Sequence, residues 1–390
     1  MTAADHSSVS LPQAHYQERL ARIQQYLAEQ GLDGLLLLNA ANIMWAIGFF
    51  HIPNERPLGL YIAVRGEPIL FAPFLEKENA EANGIASVQT YWEFPGKVPP
   101  EVWMLQQISG QRIGIDGVGH GRFLEMQAIK PRLCLDGSVT QLRYIKSAEE
   151  LALIQQAANY ADYGLEVAKE AVAERLHKGI TEQEVVQEVQ SETTTKMRRE
   201  LDDLVNFYRG AVVLTAHTGA RAALPHGQPG PIQIQPGDTL IVGIGAKVGG
   251  YLAESGCTFI IGEPKPDQMK CLEATWACDQ AAVDALIPGN SCTSVNDAAL
   301  AVLRDAGYGD YIRHRIGHGM GIEGHEPPWL SDGDETLLEP MMVFSNEPGI
   351  YRPGIDGYRI IDSMVVTAEG GQRLSRYLSE HGPDDRVISI

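Results

Sequence analysis

The sequence predicts a mixed α/β protein built from two domains. A chain of 390 residues is longer than one hydrophobic core usually serves, so two cores are expected. Over residues 13–116, short apolar strands alternate with helical patterns, which is typical of a layered α/β domain. From residue 212 onward strands dominate, and two long helices precede them.

The predicted N-terminal domain covers residues 1–145 and begins with an amphipathic helix. Apolar positions repeat at helical spacing over residues 13–31, and Gly31 ends this helix. Residues 39–42, which include two asparagines, are predicted to form a turn. Four strands are predicted, the second and third paired around Arg65-Gly66-Glu67: 35–38, 58–64, 68–71 and 113–116.

The predicted C-terminal domain covers residues 146–390 and begins with two capped helices. Ser147 with Glu150 predicts a capping box that opens a helix through residue 173. Thr181 with Glu184 repeats the pattern for a helix through residue 196 or beyond. Two later helices, 266–287 and 293–306, lie among six predicted strands: 212–214, 239–242, 246–251, 258–262, 342–344 and 360–366.

Charge and cysteine content narrow the class of protein. A net charge of −19 argues against nucleic acid or an anionic membrane as partner, because neither would be attracted. The chain has no apolar run of membrane-spanning length, and residues 1–12 do not resemble a signal peptide. Five cysteines without a C-x-x-C pair suit a reducing compartment, so a cytoplasmic protein is expected.

Two histidines among glycines form the most informative stretch of the chain. His318 and His325 lie within residues 315–326, where glycines allow backbone and imidazole to approach a ligand closely. Glu347 follows the apolar run 341–344, which is typical of a buried strand. Two imidazoles and a carboxylate in one pocket can form a metal site or an acid–base site. Each piece alone also fits a glycine-rich turn with solvent-exposed histidines.

Three other places carry side chains suited to chemistry. His226 lies in a loop bounded by proline and glycine. Tyr251 and Glu254 stand at the end of a predicted strand, and Arg359 directly precedes the last one. A neutral imidazole can take a proton from water and return it to a leaving nitrogen, so His226 is the predicted acid–base.

In order and spacing, these motifs resemble the creatinase/aminopeptidase P/methionine aminopeptidase family. The resemblance implies the pita-bread fold for the C-terminal domain, and the N-terminal domain looks like the smaller domain shared by creatinase, prolidase and aminopeptidase P. The matching motifs are Ile145-Lys146-Ser147 with Glu150, Pro225-His226, Gly237-Asp238, Gly250-Tyr251, Gly317-His318-Gly319, His325-Glu326 and Glu347-Pro348-Gly349.

The ligand pattern of the family peptidases is broken in this chain. The resemblance implies two metal ions held by two Asp, one His and two Glu, at positions occupied here by Gly243, Glu254, His318, Glu347 and Ile361. Carboxylates that bridge two cations offset their repulsion, so the changes at positions 243 and 361 should abolish a dinuclear site. No cofactor is expected, although Glu254, His318 and Glu347 remain as ligands for a single divalent metal ion.

The metal-independent branch of the family is creatinase, which the sequence resembles in its retained histidines and Glu347. Arg56 falls where creatinase has an arginine that reaches across a dimer interface to the substrate carboxylate, which implies a homodimer here. The guanidinium-binding Glu of creatinase aligns with Gly256 and the following Arg with Cys257, so creatine is not the expected substrate.

The resemblance assigns a role to each candidate residue. The predicted catalytic residues are His226 as acid–base, Glu347 to hold His226 or the nucleophilic water, and His318 and His325 to donate to the carbonyl oxygen. The predicted substrate-binding residues are Arg56, Glu254, Tyr251 and Arg359.

Three functions remain open from the sequence. The first is a metal-independent, creatinase-like hydrolase that cleaves a C–N bond in a small polar, carboxylate-bearing molecule. The second is an Xaa-Pro aminopeptidase or dipeptidase with a mononuclear metal site. The third is a non-catalytic binding protein built on a pita-bread domain. The retained His226, His318 and Glu347 argue against it, because a binding surface does not need them.

Overall fold

The computed structural model describes residues 11–51, 53–92, 94–201 and 212–389. The chain divides into two compact units, Leu11–Arg143 and Tyr144–Ile390. Residues 1–10, for which the sequence predicts no signal peptide, lie outside the described ranges. Among the helices that the structure describes, we find none with the length and apolar content needed to span a lipid bilayer.

A six-stranded mixed sheet forms the centre of the N-terminal unit. Its strands are β1 (Gly34–Leu37), β2 (Gly59–Ala63), β3 (Ile69–Pro73), β4 (Val88–Tyr91), β5 (Ile113–Ile115) and β6 (Cys134–Leu135). The order is β4-β3-β2-β1-β5-β6, in which β2 is antiparallel to both neighbours and the other pairs are parallel. The four predicted strands are confirmed, whereas β4 and β6 were not predicted.

Among the residues described in this unit, six α-helices accompany the sheet, and the first confirms the prediction for residues 13–31. They are α1 (Gln13–Gln30), α2 (Ala40–Ile47), α3 (Lys77–Ala82), α4 (Pro100–Gln107), α5 (His120–Ile129) and α6 (Ser138–Leu142). Gly31 ends α1 in the left-handed conformation, with φ of 63°.

The predicted turn at residues 39–42 is wrong. Asn39 is the N-cap of α2, and its side-chain oxygen accepts hydrogen bonds from the backbone N–H groups of Ala41 and Asn42. Asparagine favours N-caps for the same reason that it favours turns, because its short side chain bonds to nearby backbone. The apolar residues that follow then form a buried helical turn.

In the described part of the C-terminal unit there are five α-helices and two sheets. The helices are α7 (Ala148–Arg175), α8 (Glu182–Glu200), α9 (Pro266–Ala285), α10 (Cys292–Asp305) and α11 (Arg376–Glu380). The strands are β7 (Val212–Thr218), β8 (Thr239–Val248), β9 (Tyr251–Ile261), β10 (Gly317–Gly319), β11 (Val343–Asn346), β12 (Gly349–Arg352), β13 (Asp356–Arg359), β14 (Ile361–Thr367), β15 (Gly370–Arg373) and β16 (Val387–Ile388). The larger sheet has the order β10-β11-β14-β9-β8-β7, with β15 beside β14 and β16 beside β9; β12 pairs with β13.

Capping boxes open both long helices, as predicted. The Ser147 hydroxyl accepts from the Glu150 N–H, and the Glu150 carboxylate accepts from the Ser147 N–H at 2.8 Å. Thr181 and Glu184 form the same reciprocal pair at the start of α8. At α10 the predicted cap at position 293 or 294 is wrong by two residues or more, since Ser291 caps this helix.

Strands β8 and β9 form one long antiparallel hairpin, which corrects the predicted pair of short strands at 239–242 and 246–251. The turn lies at Gly249-Gly250, where both residues have positive φ, of 56° and 85°. Two successive residues with positive φ favour glycine strongly in a tight hairpin turn. The hairpin register places Gly243 opposite Gly256 and Gly245 opposite Glu254.

Three adjacent strands bring the conspicuous residues of the sequence together. His318 on β10 pairs with Ser345 on β11, and Ser345 pairs with Ser363 on β14. Gly317 allows this close approach, because a Cβ atom there would lie 2.0 Å from the Ser345 carbonyl oxygen. The glycines around the histidine thus serve strand packing as well as ligand access.

Candidate active site

Two adjoining cavities open onto the large sheet of the C-terminal unit. Their volumes are about 430 Å³ and about 440 Å³. The residues that line both are Pro225, His226, His325, Glu347 and Arg359. His318 lines the first cavity, and Glu254 lines the second with Gly243 and Ile361. Most of the predicted site residues therefore meet in one place.

His318 and Glu347 form the central pair. His318 Nε2 lies 2.9 Å from Glu347 Oε1, and the imidazole is buried. His318 Nδ1 lies 3.1 Å from the Gly319 carbonyl oxygen, which can only accept, so Nδ1 carries a proton. Nε2 is then the atom that faces the carboxylate. Two arrangements fit this contact. Nε2 either carries a second proton and donates it to Glu347, or binds a cation together with Glu347.

The positive charge of a protonated His318 and the negative charge of Glu347 stabilise each other. Burial alone would lower the pKa of His318, but the hydrogen bond to Glu347 and the charge of this carboxylate outweigh burial and raise it. Burial would raise the pKa of Glu347, yet the hydrogen bond from His318 and the charge of Arg359 hold it well below its usual range. Glu347 is therefore an anion at neutral pH.

His325 stacks on His318, with ring centroids 3.8 Å apart and an angle of 21° between the rings. Partial desolvation and the neighbouring His318 lower the pKa of His325, which favours its neutral form. Ligand atoms of His318, His325 and Glu347 all lie within 4.8 Å of one another. This trio differs from the predicted ligand set, in which Glu254 took the place of His325.

Glu254 is connected to the trio through Ser345. The Ser345 hydroxyl lies 3.1 Å from Glu254 Oε2 and 3.4 Å from Glu347 Oε1. Burial and the charge of Glu347 raise the pKa of Glu254 to about 7. The site thus holds one carboxylate that favours the ionised form, Glu347, and one that binds a proton more easily, Glu254.

Arg359 closes the far side of the site. Its side chain is 5% exposed, and its Nη1 donates to the Pro225 carbonyl oxygen at 3.2 Å. Nη2 donates to the Thr215 hydroxyl at 3.3 Å, while Nε is buried without a partner among the described residues. The guanidinium therefore holds the His226 loop by its backbone and contributes a fixed positive charge.

The remaining predicted residues take three different positions. His226 has an exposed side chain at the edge of both cavities. Tyr251 is buried, its hydroxyl donates to Glu150 at 2.8 Å, and it is not among the residues that line the two cavities. Arg56 belongs to the N-terminal unit, where its exposed guanidinium pairs with Glu55.

Sequence comparison assigns the chain to a family. Residues 152–368 match the model of metallopeptidase family M24, and residues 19–134 match the creatinase/prolidase N-terminal domain. The first match covers more than half of the chain. The chain belongs to metallopeptidase family M24. The resemblance and the two-domain α/β fold class that the sequence predicted are confirmed.

Several dipeptidases, one of them putative, are similar to this chain over nine-tenths of its length or more. A putative dipeptidase of Bacillus subtilis, YkvY, is 31% identical, with 95% of this chain and 99% of the relative covered. An Xaa-Pro dipeptidase of Lactobacillus delbrueckii subsp. lactis is 30% identical, with 90% and 95% covered. The crystal structure of dipeptidase PepE from Mycobacterium ulcerans superposes with a TM-score of 0.83 at 28% identity, with 98% and 100% covered.

The M24 family name implies metal ions, and the residues present do not fit a pair of them. A Cβ atom on Gly243 would lie 2.6 Å from Cδ1 of Ile361, so this isoleucine fills the space of a side chain at position 243. Neither residue offers a ligand atom, and together they close the position with hydrocarbon.

A single divalent cation does fit this M24 site. His318, His325 and Glu347 provide three ligand atoms of the types that divalent transition metals prefer. The hydrogen bond from His318 Nδ1 to the Gly319 carbonyl oxygen orients the ring and leaves Nε2 directed at the site, as in many metal-binding histidines.

The sequence did not identify three basic residues that line the first cavity, Arg313, His314 and Arg315. His314 Nδ1 donates to the Arg315 carbonyl oxygen at 2.8 Å, so its Nε2 accepts from the Tyr351 hydroxyl at 2.9 Å. Burial lowers the pKa of His314, which agrees with this neutral form. The sequence signal that could have identified these three residues is their position just before the glycine-flanked His318.

Proposed function

We propose that the protein is a dipeptidase of the Xaa-Pro type, which hydrolyses the C–N bond of small dipeptide-like substrates at a centre with at most one metal ion. The observation that carries this proposal is the convergence of His318, His325 and Glu347 in one cavity. Similarity to dipeptidases over at least nine-tenths of the chain supports it, and favours this hypothesis over the creatinase-like one.

The three ligand side chains would hold a divalent cation against the wall formed by β10 and β11. A cation bound there would polarise the substrate carbonyl group and increase the acidity of a water molecule. Two substitutions limit the site to one ion: Gly243 and Ile361 leave no donor for a second.

The chain itself supplies the proton transfer and the substrate contacts. In hydrolysis, water adds its hydroxyl to the carbonyl carbon, the C–N bond breaks, and the leaving nitrogen gains a proton. His226 lies at the edge of both cavities, where an imidazole can deliver this proton. Glu254 and the Ser345 hydroxyl provide acceptors for a substrate amino group.

One observation favours a second candidate, the metal-independent C–N hydrolase. His318 and Glu347 are within direct hydrogen-bond distance, so the pair is stable when both ring nitrogens carry protons. A doubly protonated His318 would stabilise negative charge on the carbonyl oxygen during water attack. Gly243 and Ile361 support the metal-independent candidate as well as the mononuclear one. An apolar contact occupies the space where the family peptidases have two metal-binding carboxylates.

Metal content and dipeptide hydrolysis, measured together, test the proposal. We expect purified protein to hydrolyse glycyl-L-proline, to lose activity after chelation, and to recover it with about one equivalent of a divalent transition metal. His318→Ala should lose both metal and activity, whereas His177→Ala, which removes an exposed histidine of the same unit, should retain both. Activity that survives complete chelation would select the metal-independent candidate, and two bound equivalents would contradict the mononuclear centre. Absence of dipeptide hydrolysis under every metal condition would overturn the proposed function.

A further inference from the structure

The loop that carries His226 is held through its backbone. The His226 side chain is exposed, and no described residue binds its imidazole by a hydrogen bond. On one side of it, the Pro225 carbonyl oxygen accepts from Nη1 of Arg359 at 3.2 Å. On the other side, the Gly227 carbonyl oxygen lies within hydrogen-bond distance of Nε2 of His217. The position of the imidazole therefore depends on two side chains that hold the backbone beside it, one from β13 and one from β7.

His217 is a buried donor in this contact. Its side chain is 1% exposed. The Gly227 carbonyl oxygen can only accept a hydrogen bond, so Nε2 of the ring carries a proton. Burial lowers the pKa of His217, and the charge of Arg359 acts in the same direction, which favours the neutral ring. At neutral pH the imidazole thus donates from Nε2, the nitrogen that faces the loop.

Strand β7 gives this donor a fixed origin. His217 pairs with Ile241 on β8, within a ladder of seven residue pairs. Thr215 lies two positions earlier on β7, and its hydroxyl accepts from Nη2 of Arg359 at 3.3 Å. Side chains two residues apart on a strand lie on the same face. The two groups that hold the loop, an imidazole and a guanidinium, are therefore both placed against one face of β7.

Gly227 allows the loop to approach His217 closely. A Cβ atom at position 227 would lie 3.3 Å from both Cδ2 and Nε2 of the imidazole, which is closer than an ordinary van der Waals contact. Gly227 is not one of the glycines with positive φ, so its backbone conformation does not require glycine. The close approach to the imidazole is what favours glycine here.

The far end of the loop is fixed as well. The Gln228 carbonyl oxygen accepts from Nη2 of Arg221, and the Gly230 N–H donates to the buried carboxylate of Glu182 at 3.0 Å. Nε of Arg221 donates to the same carboxylate at 3.2 Å. With both ends of the loop bound, the contact at its centre determines where the residue between them lies.

We propose that His217 is a positioning residue, which holds the loop backbone so that the His226 imidazole stays within reach of the leaving nitrogen. This inference rests on the proposed function, in which His226 delivers the proton. His217 is not among the residues that line the two cavities, so it acts through His226 and does not touch the substrate. Misplacement of a reacting group by about 1 Å can cost about 100-fold in rate, so one hydrogen bond to the loop can control kcat.

A double-mutant cycle tests whether His217 acts through His226. His217→Phe keeps a buried ring but removes the donor, so kcat for glycyl-L-proline should fall about 10- to 100-fold while KM changes less than about threefold. His217→Gln brings an amide N–H near the position of Nε2 and should recover most of this loss. In the His226→Asn background, His217→Phe should lower kcat no further, because its target is gone. Equal losses in the two backgrounds would overturn the proposal.

Two further variants keep the test specific. His381→Phe is the matched control: Nδ1 of His381 donates to the Tyr377 carbonyl oxygen at 2.9 Å, so a bond of the same kind is lost away from the cavity lining, and kcat should not change. Gly227→Ala presses on the imidazole from the loop side and should lower kcat as His217→Phe does. Since Gly227→Ala leaves the buried ring in place, it decides the question if His217→Phe fails to fold. Wild-type kcat in Gly227→Ala would then contradict the proposal.

Hydrogen–deuterium exchange, measured by mass spectrometry without substrate, separates this inference from the proposed function. In His217→Phe, peptides that cover residues 224–230 should exchange about 5- to 10-fold faster, the effect of one hydrogen bond, while peptides from α9 and α10 keep the wild-type rate. Faster exchange of the loop in a protein that cleaves no dipeptide supports the contact and rejects the dipeptidase function. Hydrolysis of glycyl-L-proline with unchanged exchange and unchanged kcat in His217→Phe keeps the function and overturns the role of His217.

Discussion

At the scale of single residues, backbone carbonyl groups determine which ring nitrogen of two site histidines carries the proton. Gly319 and Arg315 each accept a proton from the Nδ1 atom of a histidine, His318 in one case and His314 in the other. As a result, Nε2 of His318 faces Glu347, and Nε2 of His314 faces the Tyr351 hydroxyl. The described residues provide no such backbone acceptor for the imidazole of His226, which is exposed.

His226→Asn tests the acid–base assignment. Asparagine keeps one hydrogen-bonding group but cannot transfer a proton, so kcat for glycyl-L-proline should fall about 10²- to 10⁴-fold while KM changes little. The side chain is exposed, and the thermal unfolding temperature should stay as in the wild type. Steady-state kinetics of this variant beside His177→Asn would check the expectation. A kcat within a few-fold of wild type would transfer the role to another group.

Much of the residue pattern of the site was predictable, and its internal contacts were not. Glycine-flanked histidines and a carboxylate after an apolar strand identified His318, His325 and Glu347, which meet in the structure. The contact between Gly243 and Ile361 joins residues more than a hundred positions apart, and it depends on strand register that one sequence does not specify. Tyr251 was predicted to bind substrate because it lies in the same motif as Glu254, but its hydroxyl donates to Glu150.

At the scale of elements, a buried ion pair connects the start of α7 to the histidine loop. Lys146 Nζ lies 3.1 Å from Glu326 Oε1, and both side chains are 2% exposed. Lys146 directly precedes the N-cap of α7, and Glu326 directly follows His325. The pair therefore determines where the loop that carries His325 meets the helix. Both residues appeared in the sequence motifs, but neither motif indicated its partner.

Removing one member of this pair should destabilise the protein strongly. Lys146→Met leaves the Glu326 charge buried without its cation, and the free energy of unfolding should fall by about 3–5 kcal/mol. The double variant Lys146→Met/Glu326→Gln should recover a large part of this loss, because no isolated charge remains. Lys196→Met, from the partly exposed Lys196–Glu200 pair, should cost less than about 1 kcal/mol. Urea denaturation that shows equal losses for the two lysine variants would contradict the role of burial.

Elements were predicted best where a local signal defined them. The capping boxes of α7 and α8 lie within four residues of sequence, and both are present as predicted. Strand β8 was predicted as part of two short strands, 239–242 and 246–251. One long apolar strand and two short ones have similar sequence patterns, so the pattern did not show where the strand ends. The edge strands β4 and β6 are only four and two residues long, too short for a clear sequence pattern, so pairing with neighbouring strands defines them.

At the scale of the whole molecule, the homodimer stays a prediction. It rests on Arg56, an exposed residue of the N-terminal unit whose position resembles that of a substrate-binding arginine from a second subunit. Sedimentation velocity should show a dimer, and Arg56→Ala should lower activity without reducing the thermal stability of the protein. A fully active monomer, or an Arg56→Ala variant with wild-type kinetics, would exclude this role. The cytoplasmic location predicted from the cysteines is a separate expectation.

The contact between Gly243 and Ile361 makes the two positions depend on each other. An aspartate introduced at position 243 alone would place its Cβ atom 2.6 Å from the isoleucine methyl group, and a glutamate at position 361 alone would put a carboxylate where a methyl group now packs. Each single substitution toward the two-metal pattern should therefore strain the packing of the sheet, and the effects of the two substitutions on stability should be coupled. A change at one of these two positions alone is therefore not expected to restore the second metal position, which requires both residues to change together.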